Sequence, residues 1–214
     1  MSDETRRTPV TRTLLWGLLV AVILAVLVTA LMAPAWRGVA THETPPELGP
    51  APEFRLTNRD GRVVDSSELQ GSPWVADFIF TRCALSCPRM TERMLSLETM
   101  QPSGLRRVSF SVDPDYDSPQ VLQLYADSWG ITDSEWLFLT GEKEAIRRLV
   151  TDGFKLGLDD EPPVGAASAE EPILHSTRFV LVDSAGVIRG YYDAFRPAEL
   201  SRLALDYQVL AADS

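Results

Sequence analysis

WVADFIFTRCALSCPRMTERMLSLETM, residues 74–100, is the stretch from which the fold is read. Residues 74–80 form a nearly continuous apolar run, as in a strand buried on both faces of a sheet. Pro88 suits a first helical turn, and after it Met90, Met94, Leu97 and Met100 recur near the three-and-four spacing of a helix. The methionines read as core filling, because a flexible thioether side chain packs irregular gaps well. Between strand and helix stand Cys83 and Cys87, the two cysteines of the chain. Cys83 is expected in a loop at the carboxyl end of a central strand, the edge where open α/β sheets place their chemistry. Cys87 is expected at the helix N-terminus, where the dipole and unpaired N–H groups favour a thiolate.

Strand and helix alternate on either side of this stretch. FRLTNRDGRVVD (54–65) predicts a β-hairpin about Asp60-Gly61. Downstream, strands are expected at 106–113 and 135–140 and helices at 118–130 and 141–153. A hairpin over 174–192, turning at Ser184-Ala185-Gly186, and an amphipathic helix at 197–212 follow. Residues 158–172 combine tandem prolines, small residues and acids without a period and read as a mobile surface loop. This order implies an α/β sandwich with a mixed central sheet. No internal repeat is visible.

Ahead of this domain, LLWGLLVAVILAVLVTALMA (14–33) is apolar and uncharged. As a helix it is long enough to span a hydrocarbon core of about 30 Å. Arg6, Arg7 and Arg12 precede it and Arg37 alone follows closely. The positive-inside rule therefore predicts a cytoplasmic tail at 1–13, a transmembrane anchor at 14–33 with Trp16 and Trp36 near its ends, and export of the rest. A cleaved signal peptide is the alternative, since Ala33-Pro34-Ala35 has a small-x-small shape, although a signal h-region runs only about 7–15 residues. Residues 34–50, rich in proline and without apolar period, read as an extended tether, which places the folded domain at 51–214. His42, in the tether with no second ligand nearby, reads as solvated. The chain's formal charge is −10, and without Arg6, Arg7, Arg12, Asp3 and Glu4 the exported part from about residue 37 onward holds 17 basic against 28 acidic residues, a formal −11 that argues against nucleic acid or anionic lipid as a partner. Solubility is sufficient reason for it.

A disulfide between residues 83 and 87 would close a very short loop and stabilise little, so stability is a poor reason for the pair. Closely spaced cysteines instead cycle between dithiol and disulfide, or hold a metal when reduced. Two thiolates with His175, the one histidine after the tether, suit a soft metal, with Cu(I) the leading candidate. Zinc accepts the same donors, but a structural zinc site takes four protein ligands and no fourth stands out. The competing function is metal-free thiol–disulfide exchange with Cys83 and Cys87 as the redox pair. Against it, such oxidoreductases use CxxC, whereas Ala84, Leu85 and Ser86 intervene here, and His175 has no required part. A peroxidase of the peroxiredoxin type and an assembly scaffold with an inert cysteine pair are weaker options.

Three linked motifs resemble the Sco/SenC family. They are Phe80-Thr81-Arg82-Cys83-Ala84-Leu85-Ser86-Cys87-Pro88, then Ser111-Val112-Asp113-Pro114-Asp115-Tyr116-Asp117-Ser118-Pro119, then Leu174-His175-Ser176 before an apolar strand and a Gly turn. The similarity runs in matching order over about residues 50–208. It implies a thioredoxin-like fold tethered to the bacterial inner membrane by a single-pass helix, with the N-terminus cytoplasmic and the C-terminal domain periplasmic. It implies copper, as Cu(I) or Cu(II), on Cys83, Cys87 and His175, with Asp113 and Asp117 supporting the site without ligating. The implied role is delivery of copper to the CuA-bearing subunit of cytochrome c oxidase or another copper or thiol protein, or reduction of its cysteines. That is a metallochaperone, and if an enzyme, a thiol–disulfide reductase. Ala84 stands where the family most often has proline, a departure that bears on loop tuning and not on the ligands.

Overall fold

The computed structural model describes residues 9–37, 43–100, 104–156 and 176–212. Both histidines, His42 and His175, and the loop expected at 158–172 lie outside the described residues. The chain divides into two compact units, Met1–His42 and Glu43–Ser214. In the first, Pro9–Arg37 is one α-helix, α1, of 29 residues. Its described side chains run only from residue 14 to 28, all exposed. Among the described residues no helix is long and apolar enough to cross a membrane.

The second unit is built on an eight-stranded mixed sheet. Its strands are β1 (Gly49–Pro50), β2 (Arg55–Asn58), β3 (Val63–Asp65), β4 (Trp74–Ile79), β5 (Arg106–Ser111), β6 (Trp136–Thr140), β7 (Arg178–Val182) and β8 (Val187–Asp193). They lie in the order β1-β8-β7-β4-β5-β6-β2-β3. The β4, β5 and β6 pairs are parallel and all others antiparallel. The helices are α2 (Ser86–Met100), α3 (Pro119–Ser128), α4 (Lys143–Arg148) and α5 (Pro197–Ala212). This is the expected α/β sandwich.

Every residue of β4 is buried, which is why its sequence shows no polar alternation. Val75 and Ile79 join a core layer with Met90, Met94 and Leu97 of α2, Leu122 of α3 and Leu203 of α5. Trp74, Ala76 and Phe78 point the other way, into a layer with Phe110, Ile146 and Phe154. The hairpin turn between β2 and β3 carries Gly61 at φ +83, a left-handed conformation open to glycine, and Asp60 Oδ1 accepts the Arg62 N–H at 2.9 Å. Ser118 caps α3 by accepting the Val121 N–H, with Pro119 opening the helix. The helix expected at 141–153 is α-helical only to Arg148 and ends in a π turn over Leu149–Gly153. There a Cβ on Gly153 would sit 2.5 Å from Pro52.

The tether assigned to 34–50 needs correction at both ends. Residues 34–37 continue α1, and the folded unit already begins at Glu43. Pro45 is buried, and its carbonyl accepts from Nε and Nη2 of Arg189, whose Nη1 pairs with Asp183 at 2.7 Å. The Leu48 and Ala51 N–H groups donate to Ile188 O and Gly186 O, each at 2.8 Å. A proline-rich segment lacks the donors of an interior strand but can lie along a sheet edge, as β1 does here.

Candidate metal and redox centre

At the carboxyl end of β4 the chain turns through Phe80–Arg82 to Cys83, whose N–H donates to Phe80 O at 3.1 Å, and enters α2 at Ser86. This loop is held from below by the loop after β5. Asp117, fully buried, accepts from Thr81 N–H at 3.1 Å, Thr81 Oγ1 at 2.5 Å and Ser111 Oγ at 2.7 Å. Desolvation pushes its carboxyl pKa up against those three donors. Arg82 donates to Asp113 from Nε at 3.0 Å and Nη2 at 2.5 Å, and its guanidinium lies 4.4 Å from the centre of the exposed Tyr116 ring. Asp113 and Asp117 therefore hold the residues that precede Cys83.

Both cysteines are free thiols, Cys83 half-buried and Cys87 1% exposed within the core layer under α2. The backbone N–H of Cys87 donates to Cys83 Sγ at 3.3 Å, and Ser86 Oγ lies 3.3 Å from the same sulfur. A hydrogen bond from the Cys87 thiol, helped by Ser86 and the Cys87 and Leu85 N–H groups, brings the Cys83 pKa down to about 4 despite partial burial. The Cys87 thiol is pushed up, first because it gives its proton to that bond, then by burial and the negative charge of Cys83 and Asp77. Here the structure corrects the sequence expectation. The Cys87 thiol first, and then Ser86 and the N–H groups at the helix start, serve the sulfur in the loop and not the sulfur on the helix, so Cys83 is the thiolate.

Beneath Cys87 lies a polar layer that the motifs did not indicate. Thr91 Oγ1 donates to Cys87 O at 3.1 Å and, its proton thus used, accepts from Tyr125 Oη at 2.7 Å. Asp77 of β4 is fully buried and neither carboxylate oxygen has a hydrogen-bond partner among the described residues. Ser109, beside it on β5, opposes the desolvation of this carboxyl without closing a hydrogen bond. The one acid inside the apolar run VADFIF was the available signal. Met90 and Met94, by contrast, are buried core residues as expected.

Among the described residues no group of three or more His, Cys, Asp or Glu side chains could hold a metal ion. Cys83 and Cys87 are brought together, and His175 is outside the described residues. The chain resumes at the buried Ser176, just before β7, which runs antiparallel to β4 with Val180 opposite Ala76. That register sets the start of β7 at the same sheet edge as the cysteine loop.

The SCO1/SenC family profile matches residues 43–205. The chain belongs to this family. It is 35% identical over 143 residues to the SCO1 protein homolog of Bacillus subtilis (strain 168), covering 64% of this chain and 71% of that one. The structure of a SCO1/SenC family lipoprotein from Bacillus anthracis superposes with a TM-score of 0.68 at 32% identity, over 79% of this chain and 98% of that one. BsSco, a member of the Sco family of cytochrome c oxidase assembly proteins described as having a disulfide switch, gives 0.66 at 28% identity over the same shares, 79% and 98%. Copper-bound ScoI of Bradyrhizobium japonicum shares the fold at a TM-score of 0.57 and 21% identity, over 75% and 98%. Family members thus share with this chain the thioredoxin-like α/β architecture expected from its sequence.

Proposed function

We propose that this chain is a membrane-anchored copper carrier serving cytochrome c oxidase assembly, with copper as its cargo. The observation that carries this reading is the reduced cysteine pair at the carboxyl edge of β4, one sulfur already a thiolate within hydrogen-bond distance of the other residue's N–H. Cu(I) favours thiolate and imidazole donors, and two sulfurs with one nitrogen leave the metal exchangeable, as a carrier requires. Cys83, Cys87 and His175 are the ligands in this proposal. The sheet register supports His175, because the chain re-enters at Ser176 beside the cysteine loop. Asp113 and Asp117 position the loop without ligating. The recipient is the CuA-bearing oxidase subunit or another copper or thiol protein, a reading supported by BsSco, a member of the Sco family of cytochrome c oxidase assembly proteins. The apolar run within α1 anchors the chain in the bacterial inner membrane, with the domain periplasmic, supported by the arginines that precede it.

The test is anaerobic titration of the reduced chain with Cu(I). One equivalent should bind tightly, and Cys83→Ser, Cys87→Ser and His175→Ala should each lose most of it while the fold persists. Unchanged stoichiometric binding in H175A would remove His175 from the site and leave the dithiol reading ahead. That second reading, thiol–disulfide exchange with a partner's cysteines, is favoured by one observation of its own. The two thiols are strongly unequal, with an acidic, half-buried Cys83 to attack and a buried Cys87 to resolve.

A further inference from the structure

The cysteine segment differs in charge from the rest of the exported part. Residues 78–91 contain no acid and carry Arg82 and Arg89, where the whole from about residue 37 onward holds 28 acidic against 17 basic residues. The carboxylates at the same sheet edge are already occupied. Asp113 is bonded to Arg82, Asp117 is buried under three donors, and Asp193 and Glu199 lie 3.3 and 3.6 Å from the guanidinium of Arg196. Arg89, in the first turn of α2, lays its guanidinium 4.7 Å from the centre of the Phe195 ring, and Arg93 follows one turn on along the same face. Neither arginine forms an ion pair among the described residues. Glu92, exposed, is the one acid in those two turns, so cations are in excess there. Beside them the cysteine loop exposes Leu85 at 55%, and the Tyr116 ring, stacked on Arg82, is exposed at 48%.

We propose that this rim is the docking surface for a protein whose sulfur-bearing loop is bordered by carboxylates, with Leu85 and Tyr116 buried at the contact and Arg89 and Arg93 paired to the partner's acids. The inference deepens the proposed function and rests on it for one point, that a partner's sulfurs must come to Cys83. Whatever carries them has to lie against the exposed side chains of this loop, and aromatic and arginine side chains are the types that dominate binding energy at protein contacts. Covering an unpaired guanidinium with an apolar or basic surface is costly, whereas a carboxylate opposite it returns charge-assisted hydrogen bonds. The acids elsewhere in the domain act against such a partner at long range. At about 0.15 M salt the Debye length is about 8 Å, so those distant charges are screened while adjacent pairs are screened much less. The acidic partner is therefore held only when its loop meets this edge, a matter of register more than of collision.

The experiment uses the reduced full-length chain in neutral detergent and two synthetic peptides, each with a leucine beside one cysteine activated as its 2-pyridyl disulfide, flanked by glutamates in one and by lysines in the other. The Cys83 thiolate attacks the peptide sulfur, a mixed disulfide forms, and 2-thiopyridone leaves with the electron pair of the broken bond and is followed by absorbance. At about 0.15 M salt the glutamate peptide should react about 5-fold faster than its lysine twin, against the sign of the domain's net charge, with the advantage vanishing near about 1 M. Arg89→Glu combined with Arg93→Glu should reverse the order, while uncharged iodoacetamide still alkylates Cys83 at the wild-type rate. Leu85→Ser should slow both peptides alike, by about threefold. A wild type that takes the lysine peptide as fast or faster would overturn the proposal without any variant, and so would an R89E/R93E chain that keeps the wild-type preference. Cu(I) titration of the same preparation separates this inference from the reading beneath it. Equal rates for the two peptides with Cu(I) still bound would overturn the docking surface alone, whereas a glutamate preference in a chain that binds no Cu(I) would overturn the copper carrier and support the surface.

Discussion

Asp117→Ala removes the acceptor of three donors at once, Thr81 N–H, Thr81 Oγ1 and Ser111 Oγ, in a fully buried position. An orphaned buried donor costs about 1–3 kcal/mol, so three of them set a gross loss of roughly 3–9 kcal/mol. Two effects offset it. Water can enter the space vacated by the carboxylate, and the desolvation that pushes the Asp117 pKa up is relieved. A net loss of about 3 kcal/mol is expected, to be read from the midpoint and slope of urea unfolding. Asp117→Asn keeps one acceptor oxygen and should lose about half as much. Because Thr81 fixes the turn into Cys83, D117A should also slacken the contact of Cys83 with the Cys87 N–H and slow alkylation of Cys83 by iodoacetamide at low pH. A D117A chain within about 1 kcal/mol of wild type, with unchanged alkylation, would refute the idea that this carboxylate holds the loop.

Alkylation followed against pH should show Cys83 reactive above an inflection near 4, with Cys87 silent until the chain unfolds; an inflection near 8.5 would mean no thiolate is stabilised. The Asp77 carboxyl, raised from 3.8 to about 7, binds its proton more tightly in the folded state, so its contribution is fully present below 3.8 and is lost as pH rises to about 7. D77N should therefore match the pH trend of wild type below 4 but gain on it up to pH 7, by at most about 4 kcal/mol at 1.36 kcal/mol per unit, and parallel urea melts would detect a flat difference if the argument is wrong. Arg189→Ala should free Pro45 and leave Asp183 without its cation, at a loss of about 2–3 kcal/mol, with faster hydrogen exchange at the Leu48 and Ala51 amides and none of that change in β4.

Elements with a clear period were legible before any coordinates. The all-buried β4 announced itself by an unbroken apolar run, the β2–β3 hairpin by Asp60-Gly61, and α5 by apolar residues recurring on one face. Residues 43–50 were not legible, because their attachment depends on one arginine far along the chain and on backbone bonds to a sheet edge, neither of which leaves a local pattern. In the candidate site, the cysteine pair and the carboxylates of the second motif were named by spacing and resemblance. Which cysteine becomes the thiolate was not, since that turns on which sulfur collects the local hydrogen bonds, first from the Cys87 thiol and then from Ser86 and the N–H groups at the start of α2. Asp77 stood in plain view within an apolar run, and only its burial without a partner reveals its consequence.

The unequal burial of the two sulfurs also divides the mechanical work of the site. Cys87 is seated in the core beside Met90 and Met94, its carbonyl bonded by Thr91, so shifting it means repacking the interior. A disulfide draws two sulfurs to roughly 2 Å, whereas a shared metal ion holds them apart. All of that change in separation must be absorbed by Cys83, Ala84 and Leu85, of which Ala84 and Leu85 are exposed. An alanine at position 84 leaves free the backbone torsion that a proline ring would lock. The pair is thus a fixed jaw and a sprung one, and the stiffness of the spring is written in two residues.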